Sequence, residues 1–107
     1  MGTWIGTYRC GQGQTGLRLV VTGDDPDSLT AAFRFFPVAD NPGVPSGSFA
    51  MTGSRSGRDV RLRQSAWIDQ PPGYVMVDLG GELTDDGERF AGTVQGAGCT
   101  TFALRRA

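Results

Sequence analysis

Met1-Gly2-Thr3-Trp4-Ile5-Gly6-Thr7-Tyr8-Arg9-Cys10 opens the chain, and Cys99-Thr100-Thr101-Phe102-Ala103-Leu104-Arg105-Arg106 nearly closes it. Both segments read as strands with one buried and one wet face. Set antiparallel with Cys10 facing Cys99, their facing residue numbers sum to 109, which puts Trp4 opposite Arg105, Ile5 opposite Leu104 and Tyr8 opposite Thr101. One alignment thus offers a disulfide and a Trp–Arg stack, a favourable contact. It also pairs the first strand with the last, which is how an antiparallel sheet closes on itself and loses its edges. The alignment carries one conflict. Phe102 and Leu104 have the character of inward residues, whereas a Trp4–Arg105 pair puts Ala103 and Arg105 on the Trp4 face. A bulge at Gly6 or Gly98 reconciles the two; without one, either the disulfide or the stack fails.

Between these ends the chain has the makeup of short strands and turns. It has 107 residues, 38% of them hydrophobic, with 17 glycines and 6 prolines. That length suits one domain spanning 1–107. No stretch keeps a 3.6-residue apolar period, so no helix is expected. Eight strands are expected at 3–10, 16–23, 29–38, 47–53, 59–68, 74 to about 83, 89–95 and 99–106. Leu17, Leu19 and Val21 alternate with Arg18 and Val20; Phe33 and Phe35 share one face, Arg34 and Phe36 the other; Val60 and Leu62 alternate with Arg61 and Arg63. The predicted fold is all-β, an eight-stranded antiparallel up-and-down β-barrel with its first and last strands paired. An open two-sheet sandwich is the structural alternative.

In an up-and-down order, alternate connections share an end of the barrel. One end receives residues 24–27, 54–57 and 84–88, which are short, charged turn sequences. The other receives 11–15, 37–46, 67–73 and 96–98, richer in Pro, Gly, Gln and aromatic residues. The first set reads as a base and the second as a mouth.

Catalysis finds little material. There is no histidine, the commonest general base and metal ligand. Cys10 and Cys99 lack the spacing of a zinc or redox motif. Asp78 and Glu82 could pair along a strand, but facing water is the simpler account of both. Gly11-Gln12-Gly13 precedes a strand rather than a helix, which fails the context of a phosphate loop. The expectation is a non-enzyme without cofactor or metal.

Binding has more material, all at the mouth. Gln12, Gln14, Asn41, Trp67, Gln70 and Tyr74 are amide and aromatic side chains on or beside the loops. Such groups suit a small molecule, a glycan or a peptide. The competing account is that Trp67 caps the core and Pro71-Pro72-Gly73 shapes a turn. Phe33, Phe35, Phe49, Met51, Met76, Phe90 and Phe102 are bulky for an eight-stranded barrel, so a mostly filled interior is expected, with binding on the loops. A protein partner docked on the same loops is the second reading.

The formal charge of −1, without a basic block, speaks against nucleic acid. No run is long and apolar enough to span a membrane as a helix. All ten cations are arginine, which reads as coding bias or as a preference for planar contacts. Two cysteines far apart suggest an oxidising compartment, and the expectation is a bacterial extracytoplasmic protein whose targeting segment is absent from this chain. Two buried free thiols in a cytosolic protein remain the other reading. A disulfide would close a loop of roughly 90 residues, worth about 4–5 kcal/mol in the chain-entropy account.

Gly2-Thr3-Trp4, with Arg105 or Arg106 in the final strand, resembles the calycin superfamily of lipocalins, avidins and relatives. The resemblance implies that Trp4 packs under the terminal cation and plugs the base of the barrel. The chain is shorter than most lipocalins, which implies a smaller cavity. It is also similar to the small bacterial inhibitors of secreted metalloproteases, single barrels with one disulfide that insert an N-terminal trunk into the protease cleft. Almost nothing precedes Gly2 here, so that trunk is expected to be missing or cut away.

Overall fold

The computed structural model describes residues 2–107. Eight strands follow in chain order: β1 (Gly2–Cys10), β2 (Gly13–Thr22), β3 (Leu29–Phe36), β4 (Gly47–Ser56), β5 (Asp59–Asp69), β6 (Asp78–Leu83), β7 (Arg89–Gln95) and β8 (Thr101–Arg106). Each pairs antiparallel with the next, and β8 pairs with β1, so the sheet is a closed up-and-down barrel.

Alternation decides what lies inside. Leu17, Leu19 and Val21 of β2, Phe33 and Phe35 of β3, Phe49 and Met51 of β4, and Val60 and Leu62 of β5 are all buried. Fully burying such a side chain contributes about 1.5–3 kcal/mol. Aromatic rings fill the middle of the barrel: Phe33 stacks on Phe49 with centroids 4.5 Å apart, and Tyr8 meets Phe33 edge-on at 5.1 Å. Phe90 and Phe102 meet edge-on at 4.9 Å nearer the base. The filled interior expected from the sequence is present there, while Met76 is only half-buried at the mouth.

The base is closed by Trp4, which is 1% exposed. Its Nε1 donates to Gly87 O at 3.2 Å, and the Arg106 guanidinium carbon lies 5.1 Å from the centre of its ring. The β6–β7 turn is shaped to present that carbonyl. Thr84 Oγ1 donates to Asp86 Oδ1 at 2.6 Å, and the Glu88 amide donates to the same oxygen at 3.0 Å. These two hydrogen bonds, the Thr84 one foremost, hold the Asp86 carboxyl below its ordinary value.

The terminal register differs from the sequence expectation by one residue. Trp4 faces Arg106, Ile5 faces Arg105, Gly6 faces Leu104 and Tyr8 faces Phe102, a sum of 110 rather than 109. Arg105 therefore points outward, and Arg106 is the cation on Trp4. The disulfide survives, because Cys10 and Cys99 are bonded. Both hold because Arg9 O accepts from the Thr100 amide at 2.9 Å while Tyr8 faces Phe102, so Thr101 is an extra residue on the β8 side. The shift lies beyond Gly98 rather than at either glycine. Gly6 instead permits the closure itself. A Cβ there would collide with Ala103 O, so β1 and β8 can approach only without a side chain.

Two more register shifts lie on β5, leaving Ser65 and Ile68 without partners on β4. One inserted residue reverses which face the following side chains occupy. Leu62 points inward and so does Trp67, five residues on, opposite Phe49. Trp67 lies near the end of β5, within the strand expected at 59–68. β5 pairs with β6 only from Asp59 to Leu62, and Asp78 Oδ1 then accepts from the Gln64 amide at 2.8 Å. The segment 70–77, expected in part as strand, is instead a connection crossing the mouth.

Candidate functional site at the barrel mouth

A cavity of about 230 Å³ opens at the end of the barrel opposite Trp4. Tyr8, Gln12, Phe35, Tyr74, Val75 and Ala97 line it, together with both halves of the Cys10–Cys99 disulfide. None of its lining side chains carries a charge.

Tyr8 sits at the cavity wall because β1 keeps its alternation from Trp4, so both rings point inward. Gln12 Nε2 donates to Tyr8 Oη at 3.4 Å and to Thr15 Oγ1 at 3.2 Å. Thr15 Oγ1 in turn donates to Gly13 O at 3.3 Å, which accounts for a fully buried hydroxyl. These bonds tie the Tyr8 hydroxyl and the Gln12 amide into one small polar network at the cavity wall. Burial pushes the Tyr8 phenol well above its ordinary value, with the nearby Tyr74 adding to the rise. Tyr8 is therefore a neutral hydroxyl, not a base.

Asn41 fixes the β1–β2 turn from outside. Its Nδ2 donates to Gln12 O at 2.7 Å and to Gln14 O at 3.2 Å. The loop that carries it is pinned by Asn41 N to Val38 O at 2.9 Å and by the buried Val44. Gln14 turns away, where its Oε1 accepts from Arg9 at 3.3 Å. Gln70 is exposed and donates to Tyr74 O at 3.2 Å, closing the turn at Pro71 and Gly73. Tyr74 stacks on Phe35 with centroids 5.4 Å apart and planes 9° apart. Trp67 meets the edges of Phe35 and Phe49 at 6.3 and 5.4 Å.

Of the six residues proposed from sequence, Gln12 and Tyr74 line the cavity. Asn41 and Gln70 brace its rim, Trp67 backs its aromatic wall, and Gln14 faces away from it. Comparison with protein-family models, curated proteins and solved structures finds no significant match. The site is therefore read from its own chemistry. Tyr8, Phe35, Phe49, Val75 and Val77 were not among the sequence candidates. The inward alternation of β1 and β3 could have pointed to Tyr8 and Phe35; nothing local marks Val75 and Val77. Among the described residues no group of three or more His, Cys, Asp or Glu could hold a metal ion. Asp78 and Glu82 do not form a carboxylate pair: Asp78 caps Gln64, and Glu82 is exposed opposite Ala91.

Proposed function

We propose that this barrel is a non-catalytic binding module that takes a small neutral ligand, or the end of a glycan, in the mouth cavity. The supporting observation is a concave, uncharged lining that holds one phenol hydroxyl, Tyr8, and one amide, Gln12, hydrogen-bonded to each other. Ligand sites have this form, largely apolar with a few directed polar groups. A matching ligand has an apolar or aromatic body, which packs beside Tyr74 and Val75, and a hydroxyl or amide turned toward Tyr8. The closed topology and the Trp4–Arg106 plug favour a calycin-like origin. The disulfide favours an oxidising, extracytoplasmic setting.

A second reading is a protein-interaction or inhibitor module using the same loops. Ile68 and Val75, 62% and 72% exposed, favour it, because both large apolar side chains stand at the mouth end.

The test is a thermal-shift screen of neutral aromatic alcohols and amides, short glycans and peptides, run on the wild type and on Ala97→Phe. Ala97 lines the cavity and is exposed, so the larger ring fills the opening without disturbing the core. Hits that stabilise the wild type but not A97F support a mouth ligand. Hits that stabilise both equally, or an empty screen, count against it.

A further inference from the structure

We infer that the outer wall of the barrel carries a second site, separate from the mouth, for an oxyanion group (carboxylate, sulfate or phosphate) borne on an apolar body. One cross-strand row makes the site. Ile5 faces Arg18, Arg18 faces Arg34, Arg34 faces Ser48, and Ser48 faces Asp69. Trp4, Leu17, Leu19, Phe33, Phe35 and Phe49, which flank this row along the strands, are buried, so the row itself points outward. Neighbouring strands lie about 4.7–4.9 Å apart. Two directly opposed guanidinium groups on that spacing can converge on one oxyanion, each offering a planar fork of donors.

Like charges set directly opposite in a sheet are destabilising, and nothing here offsets them. Neither Arg18 nor Arg34 takes part in the ion pairs Arg58–Asp85 and Arg61–Asp59. Asp69 also lines the groove, but it ends the row two strands from Arg34 and forms no ion pair with it. Beyond Ile5 the row continues through Arg105 to Arg89, which adds positive potential along the wall.

The surroundings give the apolar half of the ligand. A groove of about 430 Å³ runs beside the two arginines, with Ile5 and Phe36 half-buried in its lining and Ser46 and Ser48 at its edge. Phe36 lies across Gly16, where any Cβ would collide with its ring. The ring is thereby held close against the barrel wall at Gly16, in the same groove as the two cations. No mouth function calls for this arrangement, and only Phe35 contributes to both concavities.

The test is a backbone-amide NMR titration of the intact barrel with sodium naphthalene-2-sulfonate at constant ionic strength, with 2-naphthalenemethanol as the neutral control. Saturable shifts at Ile5, Arg18, Arg34, Phe36 and Ser48 are expected with the sulfonate and not with the alcohol. Arg18→Gln and Arg34→Gln should each weaken sulfonate binding by about tenfold, as loss of a charge-assisted contact does. Both positions are exposed, so the variants keep the fold, and relief of the like-charge pair should raise their unfolding temperature slightly. Inorganic sulfate should reach the same amides at least about tenfold more weakly, because it lacks the apolar contact. Sulfonate affinity unchanged in both variants, equal shifts with the alcohol, or sulfate binding as tightly as the sulfonate would overturn the inference.

Discussion

Arg106 lies over the ring of Trp4, 5.1 Å from its centre, while the same indole donates to Gly87 O at 3.2 Å. Three segments meet at this one side chain: the first strand, the last strand and the β6–β7 turn. The cation covers the face of the plug, and the turn satisfies its only donor.

Replacing Trp4 by Ala should therefore cost about 3–5 kcal/mol, the range for truncating a buried aromatic. Arg106→Gln should cost about 0.5–2 kcal/mol, the scale of a cation–π contact. Arg105→Gln should leave stability within about 0.5 kcal/mol, since Arg105 is an exposed residue facing Ile5. Urea unfolding of the three variants checks the register directly: a large cost at Arg105 and none at Arg106 would restore the sum-109 alignment.

Gly6→Ala should destabilise more than an ordinary surface substitution, because the added methyl meets Ala103 O across the closing strands. Gly11→Ala is the control, as its Cβ would point into open space. Thermal unfolding of the pair should show a markedly lower midpoint for G6A alone.

The Cys10–Cys99 bond joins residues 89 apart in sequence and forms part of the cavity wall. The Cys10→Ser, Cys99→Ser double variant should lose about 2–5 kcal/mol in denaturant unfolding. Amide exchange should rise first at 96–100, where the β7–β8 connection loses its tie to β1.

Tyr8 sets a pH dependence. Its proton is held more tightly in the folded protein than the ordinary phenol value of 10.0, chiefly through burial. The stabilisation is fully present below that value and is lost as pH rises above it, because the unfolded chain releases the proton first. Wild type should lose stability between pH 9 and about 11 faster than Tyr8→Phe does, measured by urea unfolding at each pH. Parallel curves would contradict a buried neutral phenol.

Closure was legible in the sequence because Trp4, Cys10, Cys99 and the terminal arginines lie on strands whose facing is set by alternation. The choice between Arg105 and Arg106 was not, since one extra residue, Thr101, separates a register that fits the disulfide from one that fits the stack. The inward residues of β2, β3 and β4 were readable from period two alone. Trp67 was not, because the unpaired Ser65 reverses the facing of β5 beyond Leu62. For the candidate site, two of the six residues singled out by composition, Gln12 and Tyr74, line the mouth cavity. Asn41 looked like a ligand group but spends its amide on Gln12 O and Gln14 O. Backbone carbonyls that need a donor leave no mark in a sequence. The Arg18–Arg34 pair was equally hidden, because the residues are 16 apart and only the β2–β3 register sets them face to face.

The most direct measurement is a backbone-amide NMR titration of the oxidised protein with pooled neutral aromatic alcohols, amides and glycans. A mouth-binding module gives saturable shifts centred on Tyr8, Gln12, Tyr74, Val75 and Ala97, and loses them in Ala97→Phe. Shifts that avoid these residues, or that persist unchanged in A97F, would contradict it.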